Sequence, residues 1–211
     1  MNFADNCKEA ILNGNIEAAE KFANKAIEDK IDVNIAIDAF SLAIRKAGDL
    51  FEEGEFFLPE LMRSAEAMKA AMTIFKPVLM KGKEDRSLGK VVIGTIEGDI
   101  HDIGKTLVAS MLSAEGFEVY DLGADVPIST FIDKAVEVEA QIICMSALLT
   151  TTMIGQKKLI DQLKEKKLRD KFKILIGGAP ISKKWVEEIG ADGSAENAVS
   201  AVKLARKVLG K

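Results

Sequence analysis

Beyond Lys90 the chain changes its pattern, and that change limits the possible fold more than any single residue does. Short runs rich in β-branched and other apolar residues occur at 91–96, 117–121, 141–146 and 172–176, with a weaker fifth at 191–194. Amphipathic stretches with helical spacing follow them at 103–115, 128–139, 152–168, 182–189 and 195–209. This alternation predicts a parallel sheet, because parallel neighbours need a long crossover and the crossing helices cover both faces. Five such units predict a doubly wound sheet.

The first 80 residues read differently. Apolar positions recur at steps of three and four, as in Ala36, Ala39, Phe40, Ala43, Ala47 and Leu50. Asn13-Gly14-Asn15 separates the first two helices, and Pro59 stands near the start of a helix reaching about Met80. Four helices with short turns predict a small bundle. Between the halves, Lys81–Gly89 is charged, contains two glycines and has no apolar period, so it reads as an interdomain linker. The expected organisation is a helical bundle at 1–81, a linker at 82–89 and a flavodoxin-like (Rossmann-like) five-stranded α/β domain at 90–211.

Charge and composition exclude several classes. A net charge of −4 without a basic stripe argues against nucleic acid, and the lysines around 164–173 read as solvated surface. Cys7 and Cys144 lie far apart with no metal-knuckle spacing, which suits a reduced, cytoplasmic setting. The N-terminus lacks a basic and apolar leader, and no run approaches the ~18 apolar residues of a membrane helix.

In doubly wound sheets, ligands bind beyond the carboxyl ends of the strands, near the point where strand order reverses. The chain's one histidine, His101, follows the first strand within Gly98-Asp99-Ile100-His101-Asp102-Ile103-Gly104. Ser146 ends the third strand, and Gly177-Gly178 ends the fourth, so all three groups belong to one rim. His101 can donate one ring nitrogen to a metal while Asp99 holds the other. Asp99 and Asp102 can equally cap the helix that follows. One histidine and two isolated cysteines do not make a zinc site, whereas a single donor suits a metal already held in a macrocycle, haem included. Gly177-Gly178 fits either a close ligand or a tight turn. Ser146, Thr150, Thr151 and Thr152 fit either ligand bonding or helix capping.

The order Asp99-x-His101-x-x-Gly104, Ser146-x-Leu148, Gly177-Gly178 resembles the cobamide-binding signature of corrinoid methyl-transfer proteins, related to the cobalamin-binding region of methionine synthase. The resemblance spans nearly the whole chain. It implies a cobamide bound with its own base detached and its nucleotide tail in a slot beside the sheet. His101 is then the axial cobalt ligand, Asp99 its hydrogen-bond partner and Thr152 the hydroxyl that completes the relay. Gly98, Ile100 and Asp102 belong to the same loop. Ser146, Leu148 and Thr150 line the slot, Gly104, Gly177 and Gly178 give room for the tail, and Ala198 closes its far end. Phe51-Glu52-Glu53-Gly54-Glu55-Phe56-Phe57-Leu58-Pro59 resembles the family's cap, in which Phe51 and Leu58 shield the methyl face; the residues alone also fit bundle core. Ser194 stands where many relatives carry tyrosine, which bears on the cobamide variant.

Leu148-Leu149-Thr150-Thr151-Thr152-Met153, Gly155-Gln156-Lys157, Leu168-Arg169-Asp170 and Gly177-Gly178-Ala179-Pro180 resemble the methylamine branch, and Lys184-Trp185-Val186-Glu187-Glu188-Ile189-Gly190-Ala191-Asp192 is most similar to the monomethylamine corrinoid proteins. The implied function is a non-catalytic methyl carrier of methanogenesis or acetogenesis. It accepts a methyl group on cobalt(I) from a substrate methyltransferase and delivers it from methyl-cobalt(III) to a second one, acting on a thiol or tetrahydrofolate. A reductive activase is the third implied partner. Methanol, methyl sulfide or methoxyaromatic substrates are the alternative, and a cobalamin-dependent sensor is another. A mutase subunit is disfavoured by the helical cap. A receiver or flavin domain lacks its acidic pocket or phosphate loop here.

Overall fold

The computed structural model describes residues 2–81 and 87–211, so most of the expected linker, 82–86, lies outside the described residues. The chain divides into two compact units, one helical and one α/β.

The helical unit contains α1 (Phe3–Leu12), α2 (Ile16–Glu28), α3 (Val33–Glu52) and α4 (Leu58–Lys81). Asn2 and Asn15 cap α1 and α2, each accepting a backbone N–H from three residues ahead. The interior combines small residues (Ala19, Ala23, Ala36, Ala43, Ala47, Ala71) with Phe40, Leu61, Met68 and Phe75. Small residues let helices approach, and Phe40 and Phe75 fill the remainder edge to face, their centroids 5.8 Å apart. At the turn between α3 and α4, Phe51 is half-buried, whereas Phe57 and Leu58 are exposed. Leu58 is therefore not bundle core.

The α/β unit is a five-stranded parallel sheet in the order β2-β1-β3-β4-β5. Its strands are β1 (Lys90–Thr95), β2 (Glu118–Asp121), β3 (Ile142–Ser146), β4 (Lys173–Gly177) and β5 (Gly193–Ser194). The intervening helices are α5 (Ile103–Ala114), α6 (Ile128–Glu137), α7 (Ile154–Glu165), α8 (Lys183–Ile189) and α9 (Ala198–Val208). Val92, Ile143, Ile174 and Ile176 pack with Phe131, Ile132, Leu159, Ile160 and Leu163 in one buried cluster. Strand alternation turns Val91, Ile93, Ile142, Cys144 and Leu175 to the opposite face, where they are also buried. Burial on both faces explains the nearly continuous apolar runs seen in the sequence.

The register aligns the strand ends: Thr95 pairs with Ser146, and Ser146 with Gly177. The order reverses between β1 and β3, so the loops following Thr95 and Ser146 flank the switch point. Two helices begin two or three residues later than the apolar period predicts. α7 starts at Ile154 after a turn in which the Thr152 N–H donates to the Leu149 carbonyl, and α9 starts at Ala198 behind an Asn197–Ser200 capping box. Among the described residues, no helix is long and apolar enough to cross a membrane.

Candidate functional site

The site is built on loops at the carboxyl ends of β1 and β3. After β1 the chain turns through Gly98, at φ +82°, and presents Asp99 and His101 before α5 begins. The Asp99 side chain is completely buried, yet it is supplied with donors from both loops. Its Oδ1 accepts the His101 backbone N–H at 3.0 Å and pairs with His101 Nδ1 at 2.7 Å. Its Oδ2 accepts the Leu148 N–H at 2.7 Å, the Leu149 N–H at 3.3 Å and the Thr152 hydroxyl at 2.8 Å. Burial pushes the Asp99 pKa up. The His101 backbone and ring, the Thr152 hydroxyl and the Leu148 N–H outweigh burial and hold the carboxyl well below its usual range.

The ionised state of Asp99 assigns the tautomer of its neighbour. A carboxylate can only accept, so His101 Nδ1 carries the proton, and in the neutral ring Nε2 carries the lone pair. The His101 side chain is 48% exposed, and Nε2 has no partner among the described residues. Thr152 Oγ1 also lies 3.0 Å from the Leu149 carbonyl, but its one proton goes to the closer and charged acceptor, Asp99.

The structure thus brings Asp99, His101 and Thr152 into one hydrogen-bonded chain, with Leu148 joining through its backbone. The Leu148 side chain and Thr150 are exposed, Ser146 is half-buried at the end of β3, and Ala198 is buried at the start of α9. The glycines have different reasons for being glycine. A Cβ on Gly178, at φ +128°, would stand 1.7 Å from the Ala147 carbonyl oxygen, so the protein's own backbone excludes a side chain there. Gly104 and Gly177 have nothing within 4 Å of a Cβ and border open space.

Several contacts were not legible in the sequence. Thr95, fully buried at the end of β1, donates its hydroxyl to the His101 carbonyl at 3.0 Å. Asp125 Oδ1 accepts the Gly98 N–H at 2.7 Å. Lys105, buried on α5, is held by both Asp121 oxygens at 2.6 and 2.7 Å. Gln156 spans the ends of β3 and β4 through the Met145 and Gly177 carbonyls and accepts the Trp185 indole N–H. The turn-forming Gly123-Ala124-Asp125-Val126-Pro127 was the available signal for Asp125.

Known proteins resemble both parts of the chain. Family models described as B12 binding domain match residues 89–203 and, separately, residues 4–76. A corrinoid protein of Desulfitobacterium hafniense is 49% identical, covering 100% of this chain and 99% of its own length. Trimethylamine corrinoid protein 1 of Methanosarcina acetivorans is 48% identical, covering 96% of this chain and 94% of its own. Among solved structures, a chain in the methanol:cobalamin methyltransferase complex of Methanosarcina barkeri superposes with a TM-score of 0.84 at 30% identity, over 99% of this chain and 80% of that one.

The residues at the rim fit such a cofactor. Among the described residues, no three His, Cys, Asp or Glu side chains converge on a bare metal ion, whereas a metal in a macrocycle needs only the one donor that His101 Nε2 offers. Ile100 on the His101 loop and Ile103 at the start of α5 each stand 76% exposed, and Leu148, Leu149 and Ile154 are exposed on the β3 loop and the start of α7. Apolar side chains left in water beside a ligand atom suit a flat, largely apolar ring. Open space at Gly104 and Gly177 leaves room for a tail. The chain belongs to the corrinoid proteins, the B12-binding family, and its cofactor is a cobamide.

Proposed function

We propose that this chain is a non-catalytic methyl carrier in the cytoplasm, serving a methyl-transfer system that consumes methylated amines. The observation that carries the reading is the His101 ring: Nδ1 is fixed by a buried, ionised Asp99, and the half-exposed Nε2 has no partner among the described residues. When bound, the cobamide supplies a cobalt centre that takes up a methyl group in its reduced state and gives it up again. His101 Nε2 would hold the cobalt. Asp99 makes that donor stronger by drawing on the Nδ1 proton, and it stabilises the ring whenever positive charge builds on it. The Thr152 hydroxyl on Asp99 Oδ2 would complete this relay. Ser146, Leu148 and Thr150 line the slot for the nucleotide tail, Gly104 and Gly177 leave space for it, and Ala198 ends it.

We assign 90–211 as the cobamide-binding domain and 1–81 as the cap, in which Phe51 and Leu58 shield the reactive face. The exposure of Leu58 supports that assignment over a core role. The partners are a substrate methyltransferase, a second methyltransferase acting on a thiol or tetrahydrofolate, and a reductive activase. A methylated amine as donor is supported by the methylamine-like words around 148–153 and 177–188 and by the relative named for trimethylamine.

The test mixes the full chain, loaded with hydroxocobalamin and chemically reduced, with methyltransferases specific for trimethylamine, dimethylamine, monomethylamine or methanol, each with its own substrate. Loss of one methyl group per chain with an amine-specific partner is expected. Transfer only from methanol would overturn the substrate class, and no transfer from any donor would overturn the carrier role.

A further inference from the structure

Four non-glycine residues have left-handed backbone among the described residues: Lys30, Asp125, Glu139 and Lys167. Three of them stand just past the ends of α2, α6 and α7, where chains commonly turn left-handed on leaving a helix. Asp125 does not follow a helix. It lies between β2 and α6 at φ +54°, and an isolated outlier of this kind calls for a local cause.

The cause lies in what Asp125 holds. Its Oδ1 accepts the Gly98 N–H at 2.7 Å, and its own N–H donates to the Asp99 carbonyl at 2.9 Å. One residue thus grips two consecutive positions of the β1 loop. The same loop is tied by Thr95 N–H to the Gly123 carbonyl, by Val126 N–H to the Thr95 carbonyl, and by the Thr95 hydroxyl to the His101 carbonyl. Asp99 is therefore fixed twice: its carboxylate by Leu148, Thr152 and His101, and its main chain by Asp125.

We infer that Asp125 is a positioning residue that registers the Asp99 carboxylate on its donors and thereby sets the tautomer and axial reach of His101. The inference rests on the reading of His101 as cobalt ligand. A shift of the loop at Gly98-Asp99 loosens the 2.7 Å contact to Nδ1 and frees the proton to move to Nε2, which destroys the donor.

Asp125→Gly removes the acceptor while relieving the left-handed backbone, so loss of fold is not its expected effect. Asp125→Asn keeps an acceptor oxygen and tolerates the same backbone. The first readout needs no cofactor: His101 is the one histidine, so the imidazole-nitrogen NMR signals of the nitrogen-15-labelled apo-protein belong to it alone. In mildly alkaline buffer the native chain should show a protonated Nδ1 and an unprotonated Nε2. The two signals should move together in Asp125→Gly as the other tautomer fills, and return in Asp125→Asn. Hydroxocobalamin affinity, measured by equilibrium dialysis, should fall about tenfold in Asp125→Gly, the low end of the loss expected for an outer partner of a metal-bound histidine. Native signals and affinity in Asp125→Gly would overturn the inference alone, as would an Asn variant that fails equally. A native chain whose Nδ1 is unprotonated would overturn the reading of His101, and the inference with it.

Discussion

A carboxylate fully removed from water destabilises a fold unless its oxygens are occupied, and at Asp99 five donors occupy them. The histidine then inherits a defined state from its neighbour rather than from its own surroundings. Cys144 shows the reverse case. It lies on β3 with no donor to favour its charged form, and burial pushes the thiol from 9.0 up to about 12. Above pH 9 the unfolded chain ionises this thiol while the fold keeps it protonated. Its stabilising contribution is therefore complete below pH 9 and is lost as pH rises toward 12. The native urea midpoint should fall more steeply over that window than that of Cys144→Ala, by up to about 1.4 kcal/mol of unfolding free energy per pH unit. Parallel profiles for the two proteins would refute the assignment.

At the scale of elements, the register of β1, β3 and β4 places Thr95, Ser146 and Gly177 side by side, and the loops that follow carry the candidate site. The adjacent glycines divide the labour of the β4 loop, which yields a paired prediction. Gly178→Ala drives a Cβ onto the Ala147 carbonyl and should cost about 3 kcal/mol of stability, measured by urea unfolding. Gly177→Ala meets nothing and should unfold like the native chain, but bind hydroxocobalamin less tightly in equilibrium dialysis. Equal stability of the two variants would contradict the structural half of the prediction. Native affinity in Gly177→Ala would contradict the ligand half. The sequence exposed the glycine pair but not this division, because it depends on how closely β3 and β4 approach. The two-residue delay of α7, from the expected 152 to Ile154, was hidden for a similar reason: Thr152 belongs to the turn that brings its hydroxyl to Asp99.

For the whole molecule, the alternation beyond Lys90 was enough to specify a parallel sheet, and the helical period before it was enough to specify four helices. Asp99 and His101 were legible because they lie two residues apart on one turn. Thr152 was legible only through the spacing shared with relatives. Asp125, Thr95 and the Leu148 N–H were not, because their contacts depend on backbone conformation and on strands brought together from distant segments. The central claim is that the one histidine of this chain supplies the axial ligand of its cobamide. It is tested most directly by the electron paramagnetic resonance spectrum of the cobalt(II) protein, grown with nitrogen-15 and loaded with unlabelled cobalamin. Each cobalt line split into a doublet, and the doublet lost in His101→Ala, is the predicted result. A triplet, showing that the cofactor's own nitrogen stays on the cobalt, would contradict it.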